Sequence, residues 1–263
     1  MESVPVTNEN IQAALAEAPV EVEKPLVTAP PADTVFNLPG GLIQFDRVLK
    51  EVEVKELTGA DEEALSKATS VARLLNTALV RGIVRIGDEK PDETLVNSLL
   101  VGDRDYILLR VYTTTFGKDL ETLRYCTSCN TDVKVKIDLL KETPVKEISV
   151  EDTLFNVETS KGTAIVSLPT GYTQMEMLSE SNKTLAELKT VLLANTVKKI
   201  GNTELILDKI GAVRRLSIKD RAAIDRELAE RNFGPQLQDL HVACPNCGAE
   251  MEVPLSIAGL FQF

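Results

Sequence analysis

The sequence predicts an α+β fold: a helical body with small β-sheets, plus a ribbon-like element built from two distant hairpins. Three observations carry this expectation. Strand-like and helix-like stretches come in runs, without the regular alternation of a doubly wound sheet. Polar caps followed three residues later by an acid open several helices. Two Cys-x-x-Cys pairs each stand just before an alternating strand.

In chain order, residues 1–33 come first. They carry Glu2, Glu9, Glu17, Glu21, Glu23 and Asp33 against Lys24, interrupted by Pro5, Pro19, Pro25, Pro30 and Pro31. Such sequence buries too little apolar surface to offset its ordering entropy. A flexible acidic arm is expected, with a short helix around Ile11–Glu17; the alternative is a segment that orders on a partner. Folded sequence begins near Val35, with Leu42, Val48, Val52 and Val54 in strands. Thr58-Gly59-Ala60-Asp61 then opens a helix whose stripe is Leu65, Ala68, Ala72, Leu75 and Leu79, punctuated by Gly82 and Gly87. A second helix is expected over Glu93–Leu100. Asp103-Arg104-Asp105 opens a third through Tyr112, closed by Gly117.

From Asp119 to Val166 the pattern is mostly β, with Val133, Val135 and Ile137 alternating. Leu168-Pro169-Thr170-Gly171 reads as a turn. Three capped helices follow, at Thr173 with Glu176, Thr184 with Glu187, and Ser217 with Asp220. Leu205–Ile210 reads as strand-like, Gly234-Pro235 stops the last helix, and the remaining residues return to β. The expected divisions are an arm (1–33), a strand and helical region (34–118), a first cysteine hairpin with β region (119–168), a helical region (169–235), and a second cysteine hairpin with tail (236–263).

Composition excludes more than it suggests. The 263 residues suffice for a real core, and Lys+Arg 29 against Asp+Glu 40 leaves a net charge of −11. So acidic a surface repels phosphate backbones and disfavours nucleic-acid binding. No apolar run approaches the roughly 20 residues that span a bilayer, and no basic stretch leads into an apolar one at the start, so neither a membrane span nor a secretory leader is expected.

The four cysteines are Cys126, Cys129, Cys244 and Cys247, and they form two C-x2-C pairs. A two-residue gap lets a tight turn aim two thiolates at one tetrahedral cation. Counted from the second cysteine of each pair, positions +4, +6 and +8 are Val133, Val135 and Ile137 in one copy, and Met251, Val253 and Leu255 in the other. This shared offset is the layout of a zinc-ribbon knuckle. Three alternatives compete: a disulfide pair, which nothing here assigns to an oxidising compartment; a thioredoxin-like motif, which needs a helix after the pair; and independent buried cysteines, which would not share an offset. The separation of 114 intervening residues far exceeds the roughly 15–20 of a compact ribbon, so tertiary contact must close the site. One structural Zn2+ per chain, held by all four thiolates, is the expectation. Such a site has no open position for catalysis. His241 could compete as a ligand, but reads as a strand residue or a supporting group.

Enzyme signatures are absent: no G-x-S-x-G, no phosphate loop with a following Lys, no H-E-x-x-H. Asp103-Arg104-Asp105 invites a catalytic reading, yet cap and ion-pair duties at a helix start explain it with less assumption. The expected chain is not an enzyme.

The ordered segments resemble a family, the baseplate hub and hub-assembly proteins of contractile-tailed bacteriophages. The pieces are Leu38-Pro39-Gly40-Gly41, Glu56-Leu57-Thr58-Gly59-Ala60-Asp61-Glu62-Glu63, Val101-Gly102-Asp103-Arg104-Asp105, Cys126–Cys129, Leu168-Pro169-Thr170-Gly171, Leu216-Ser217-Ile218-Lys219-Asp220, Phe233-Gly234-Pro235, Cys244-Pro245-Asn246-Cys247-Gly248 and Phe261-Gln262-Phe263. The resemblance spans residues 35–263. It implies a non-enzymatic structural or assembly protein, located in the virion tail or in the host cytoplasm during assembly. Its implied partners are other baseplate and hub proteins, tail-spike or tube components, or the tape-measure protein. The alternative is a zinc-ribbon adaptor that binds other proteins or, with less support, nucleic acid. Leu260, Phe261 and Phe263 directly follow the second knuckle's strand, and are expected to dock on the body of the chain or on a hub partner.

Overall fold

The antiparallel sheet that opens the fold is built from β1 (Val35–Gln44), β2 (Arg47–Val54) and β3 (Ile83–Ile86), in that order. A computed structural model describes residues 34–44, 47–178, 183–204 and 207–261; the expected arm, its Ile11–Glu17 helix and Phe263 lie outside the described residues. Between β2 and β3 stand α1 (Gly59–Ser66) and α2 (Val71–Gly82). The Thr58 N–H and hydroxyl both donate to Asp61 Oδ2 (3.0 and 2.8 Å), so the expected cap forms. The single helix expected from Leu65 to Leu79 is two. Ser70 accepts from the Arg73 N–H and starts α2 afresh, because a serine hydroxyl in extended backbone caps a helix better than it continues one.

Next come α3 (Glu93–Ser98) and α4 (Val101–Phe116), the latter ended by Gly117 at φ 87°. α4 begins two residues before Asp103 and runs one turn past Tyr112. It is the axis of the main core: Ile107, Leu108, Leu109 and Val111 are buried against β1, β2 and α2 residues such as Leu38, Val52 and Leu79. The hairpin of β4 (Asp119–Cys126) and β5 (Thr131–Asp138) follows, in unbroken register.

A second core lies under β7 (Leu154–Thr159) and β8 (Gly162–Ser167), which pair with β9 (Val197–Ile200) and β10 (Thr203–Glu204). The preceding β6 (Val145–Lys146) pairs with β11 (Gly234–Pro235). Packed on this second core are α6 (Leu185–Thr196), α7 (Lys209–Arg214) and α8 (Ile218–Glu230). The Thr184–Glu187 and Ser217–Asp220 caps form. Asp220 also accepts from the Ser160 N–H (2.8 Å) and hydroxyl (2.6 Å), tying α8 to the β7–β8 turn; these bonds from Ser160, with Ser217, hold its carboxyl down at about 2.

Two local expectations fail here. α5 (Gly171–Leu178) starts at Gly171, so Thr173 sits buried inside the helix instead of capping it. The start is set from outside: the Gly171 N–H donates to the Leu99 carbonyl at 2.9 Å, and Leu100 pairs with Thr170. The strand expected over Leu205–Ile210 ends in α7, because Asp208 accepts from the Gly211 N–H and nucleates a helix; positions 205 and 206 lie outside the described residues.

The chain closes with β12 (His241–Ala243), β13 (Glu250–Glu252) and the single-turn α9 (Ile257–Leu260), so its end is only partly β. Leu260 and Phe261 are 8% and 1% exposed and belong to the main core, where the Phe261 ring stands 6.0 Å from that of Tyr112, edge to face. Of the two dockings expected for these side chains, they make the one on their own chain, because an aromatic one turn from a closed core buries there at least entropic expense. No helix among the described residues is long and apolar enough to cross a membrane.

Candidate metal centre

The first knuckle is built by strand alternation. Along β5 every second residue points inward, so Val133 and Val135 are buried with Cys126, the last residue of β4, and Ile137 is buried in the main core. The chain then turns through Cys129 and Asn130, whose φ of 54° is the left-handed conformation that asparagine tolerates. The second knuckle repeats the turn. Cys244 follows β12, Cys247 lies in the turn, and Gly248 takes the matching left-handed position at φ 74°. The Gly248 N–H donates to the Cys244 carbonyl and the Cys244 N–H to the Ala249 carbonyl, both at 2.8 Å. The Asn246 amide reaches across to the Thr131 hydroxyl (3.2 Å) and joins the two turns.

All four sulfurs lie within 4.8 Å of one another. Cys126 and Cys247 Sγ are 3.7 Å apart, and Cys129 and Cys244 Sγ 3.9 Å. A disulfide needs about 2.05 Å, and all four cysteines are free. Tetrahedral coordination with metal–sulfur bonds of about 2.3 Å requires sulfur–sulfur edges of about 3.8 Å. The cluster therefore has the dimensions of a four-thiolate metal site. Cys126 and Cys244 are buried, and Val133, Val135, Met251 and Val242 pack around the sulfurs. N–H groups of Cys129 and Ser128 pointing at the Cys126 sulfur favour its thiolate and lower that thiol, while Cys247 in the same cluster is shifted up.

Soft sulfur donors in a tetrahedron suit zinc or a single iron, and four of them leave no position for water or substrate. His241 stands outside the cluster: its imidazole is half exposed, 3.7 Å from the Glu250 carboxylate.

A second convergence of distant segments lies at the start of α4. Asp103 and Arg104 are fully buried. Asp103 accepts the N–H groups of Gly40 (2.8 Å) and Gly41 (3.1 Å), which a bulge in β1 frees from the strand ladder. Arg104 donates to the Val96 carbonyl (2.7 Å), Gln174 Oε1 (2.9 Å) and the Asn76 amide oxygen (3.4 Å). Gly102 and Gly234 meet so closely that a Cβ on Gly234 would lie 2.4 Å from the Gly102 carbonyl oxygen, and one on Gly171 would lie 2.5 Å from Arg104. Four of the glycine-bearing sequence pieces thus meet at one point. The sequence signal was their glycines, which permit close backbone approach; their shared destination was not visible. Asp103 and Arg104 thus direct their charges at the protein's own groups.

Neither a curated protein nor a solved structure matches this chain. Residues 42–263, which include both knuckles and the Asp103–Arg104 pair of α4, match the family described as T4 bacteriophage base plate protein, and the chain belongs to that family.

Proposed function

We propose that this chain is a non-enzymatic structural or assembly component of the baseplate hub, with its two hairpins locked together by one structural zinc ion on Cys126, Cys129, Cys244 and Cys247. The observation that carries the reading is a closed tetrahedron of thiols in a baseplate-family chain. Zinc, when bound, supplies a fixed fourfold crosslink. The residues supply four soft donors, an apolar surround on the side of Cys126 and Cys244, and two turns that hold the sulfurs at the required spacing. Its partners on this reading are neighbouring hub, tube or tape-measure proteins, met in the virion tail or during assembly.

Elemental analysis of protein purified under reducing conditions tests the metal. One zinc per chain is expected, with loss of the metal in Cys126→Ser and Cys244→Ser. Folded protein with no zinc, with iron in its place, or with two ions would sink the single shared zinc site. Co-purification with co-expressed baseplate proteins tests the assembly role separately.

A further inference from the structure

The helical layer over the second core leaves an apolar groove uncovered. α6, α8 and the segment joining α7 to α8 wall a space of about 380 Å3, lined by Ala186, Leu193, Leu216, Ile218 and Ala222. Ile218, the first residue of α8, lines it while 89% exposed, and Leu185, the first residue of α6, is 71% exposed directly before the lining residue Ala186. Helix capping does not account for them. Thr184 and Ser217 make the caps, and a polar residue would serve the next position equally. A lone exposed aliphatic is ordinary, but two beside an apolar groove mark an interaction surface.

Charge indicates what fits. Lys189, Arg214 and Arg221 line the groove against one carboxylate, Asp225, which Lys189 already engages at 2.5 Å. Arg221 is fixed on the wall by donating to the Thr190 hydroxyl (2.8 Å) and the Ala186 carbonyl (3.2 Å). This is a cationic rim on a chain whose net charge is −11. We propose that the α6–α8 groove docks a segment of a partner protein whose apolar side chains are flanked by Asp or Glu. The aliphatic floor would bury the apolar side chains, while Arg214 and Arg221 would meet the acids and set direction. Three cations are too few for a phosphate backbone, and the most exposed side chains here are aliphatic, so a protein segment fits better than nucleic acid. The inference takes the assembly role as its setting. Its readout, binding of a small probe by the isolated full-length chain, can fail while co-assembly or zinc binding holds, and the reverse.

The probe is a fluorescein-labelled amphipathic peptide of Leu and Glu, followed by anisotropy as the full chain is titrated in. Saturable binding that weakens with salt is expected, with none for the Leu/Lys counterpart. Ile218→Glu and Arg214→Glu are both surface changes that should leave the circular dichroism melt unmoved, and each should weaken binding by about tenfold or more. Three results would overturn the proposal: no saturable binding of the Leu/Glu peptide, binding indifferent to both substitutions, or a labelled single-stranded DNA binding at this groove in the peptide's place.

Discussion

At the thiol centre, four ionisable sulfurs from two hairpins face one another. At the start of α4, a carboxylate and a guanidinium face backbone amides, carbonyls and side-chain amides. Both sites draw together segments remote in sequence, 115 residues apart at Cys129 and Cys244 and 63 apart at Gly40 and Asp103. The α4 site closes on the chain's own hydrogen bonds. The thiol site cannot, because sulfur is a weak hydrogen-bonding partner and clustered thiolates repel. One convergence is part of the fold; the other, on the reading proposed here, is held by an ion and should be separable from it.

Metal removal should have the largest effect and tests that separation most directly. Structural zinc sites carry apparent binding free energies on the order of 10 kcal/mol. A strong chelator should therefore loosen β4–β5, β12–β13 and α9, measured as faster amide exchange along these elements, while the Gly40 and Gly41 amides stay protected. Equal loss at both sites would show that they form one cooperative unit.

Arg104→Ala should come next. It leaves the Val96 carbonyl, Gln174 and Asn76 without their buried donor, and breaking such a network by removing one partner costs about 3–5 kcal/mol. A drop of roughly 10 °C in melting temperature with zinc content unchanged is expected.

Asp103→Asn should alter pH dependence more than it alters stability at any single pH. Burial pushes the Asp103 carboxyl up to about 6, against the pull of the Gly40 and Gly41 N–H groups. Its unfolded value lies near 3.8, so below that pH it is protonated in both states and carries no penalty. Between about 4 and 6 the folded state holds the extra proton, and stability falls as pH rises; above 6 the penalty is complete, up to about 3 kcal/mol. The wild-type chain should therefore lose more stability than Asp103→Asn between pH 4 and 7. Denaturant midpoints across that range read the difference, and parallel curves would exclude a raised Asp103 carboxyl in the folded state. Asp105, raised to about 6 chiefly by burial, leaves part of the slope in the variant.

The smallest effect compares the two turns. Gly248→Ala puts a side chain at φ 74°, a strain of about 1–2 kcal/mol, with no neighbour for the added carbon to strike. Zinc should stay bound with reduced affinity in a chelator competition. Asn130→Gly, at the matching position of the first turn, should strengthen it by less.

Much of this was legible in the residues. The offsets after each cysteine pair marked Val133, Val135 and Met251 as inward-facing, and the Thr58, Thr184 and Ser217 caps form as their spacing predicted. Such features depend on neighbours within about four residues, which a sequence displays directly. Misreadings arose where a distant contact overrode a local signal. Thr173 has the spacing of a cap, but contacts to Leu99 and Leu100 start the helix earlier. For Leu260 and Phe261 the sequence left docking on the body or on a partner open, and the main core takes both side chains.

By itself the sequence determined the α+β class, the two cysteine knuckles and which four sulfurs stand in them, because strand period and Cys-x-x-Cys spacing are local quantities. Tertiary structure alone decided that the four sulfurs meet within 4.8 Å, that Gly40, Gly102, Gly171 and Gly234 gather round Asp103 and Arg104, and that an apolar groove stays open between α6 and α8. The physical reason is chain connectivity: a pairing across a hundred residues is chosen by how whole helices and sheets pack, and no spacing within either partner records that choice.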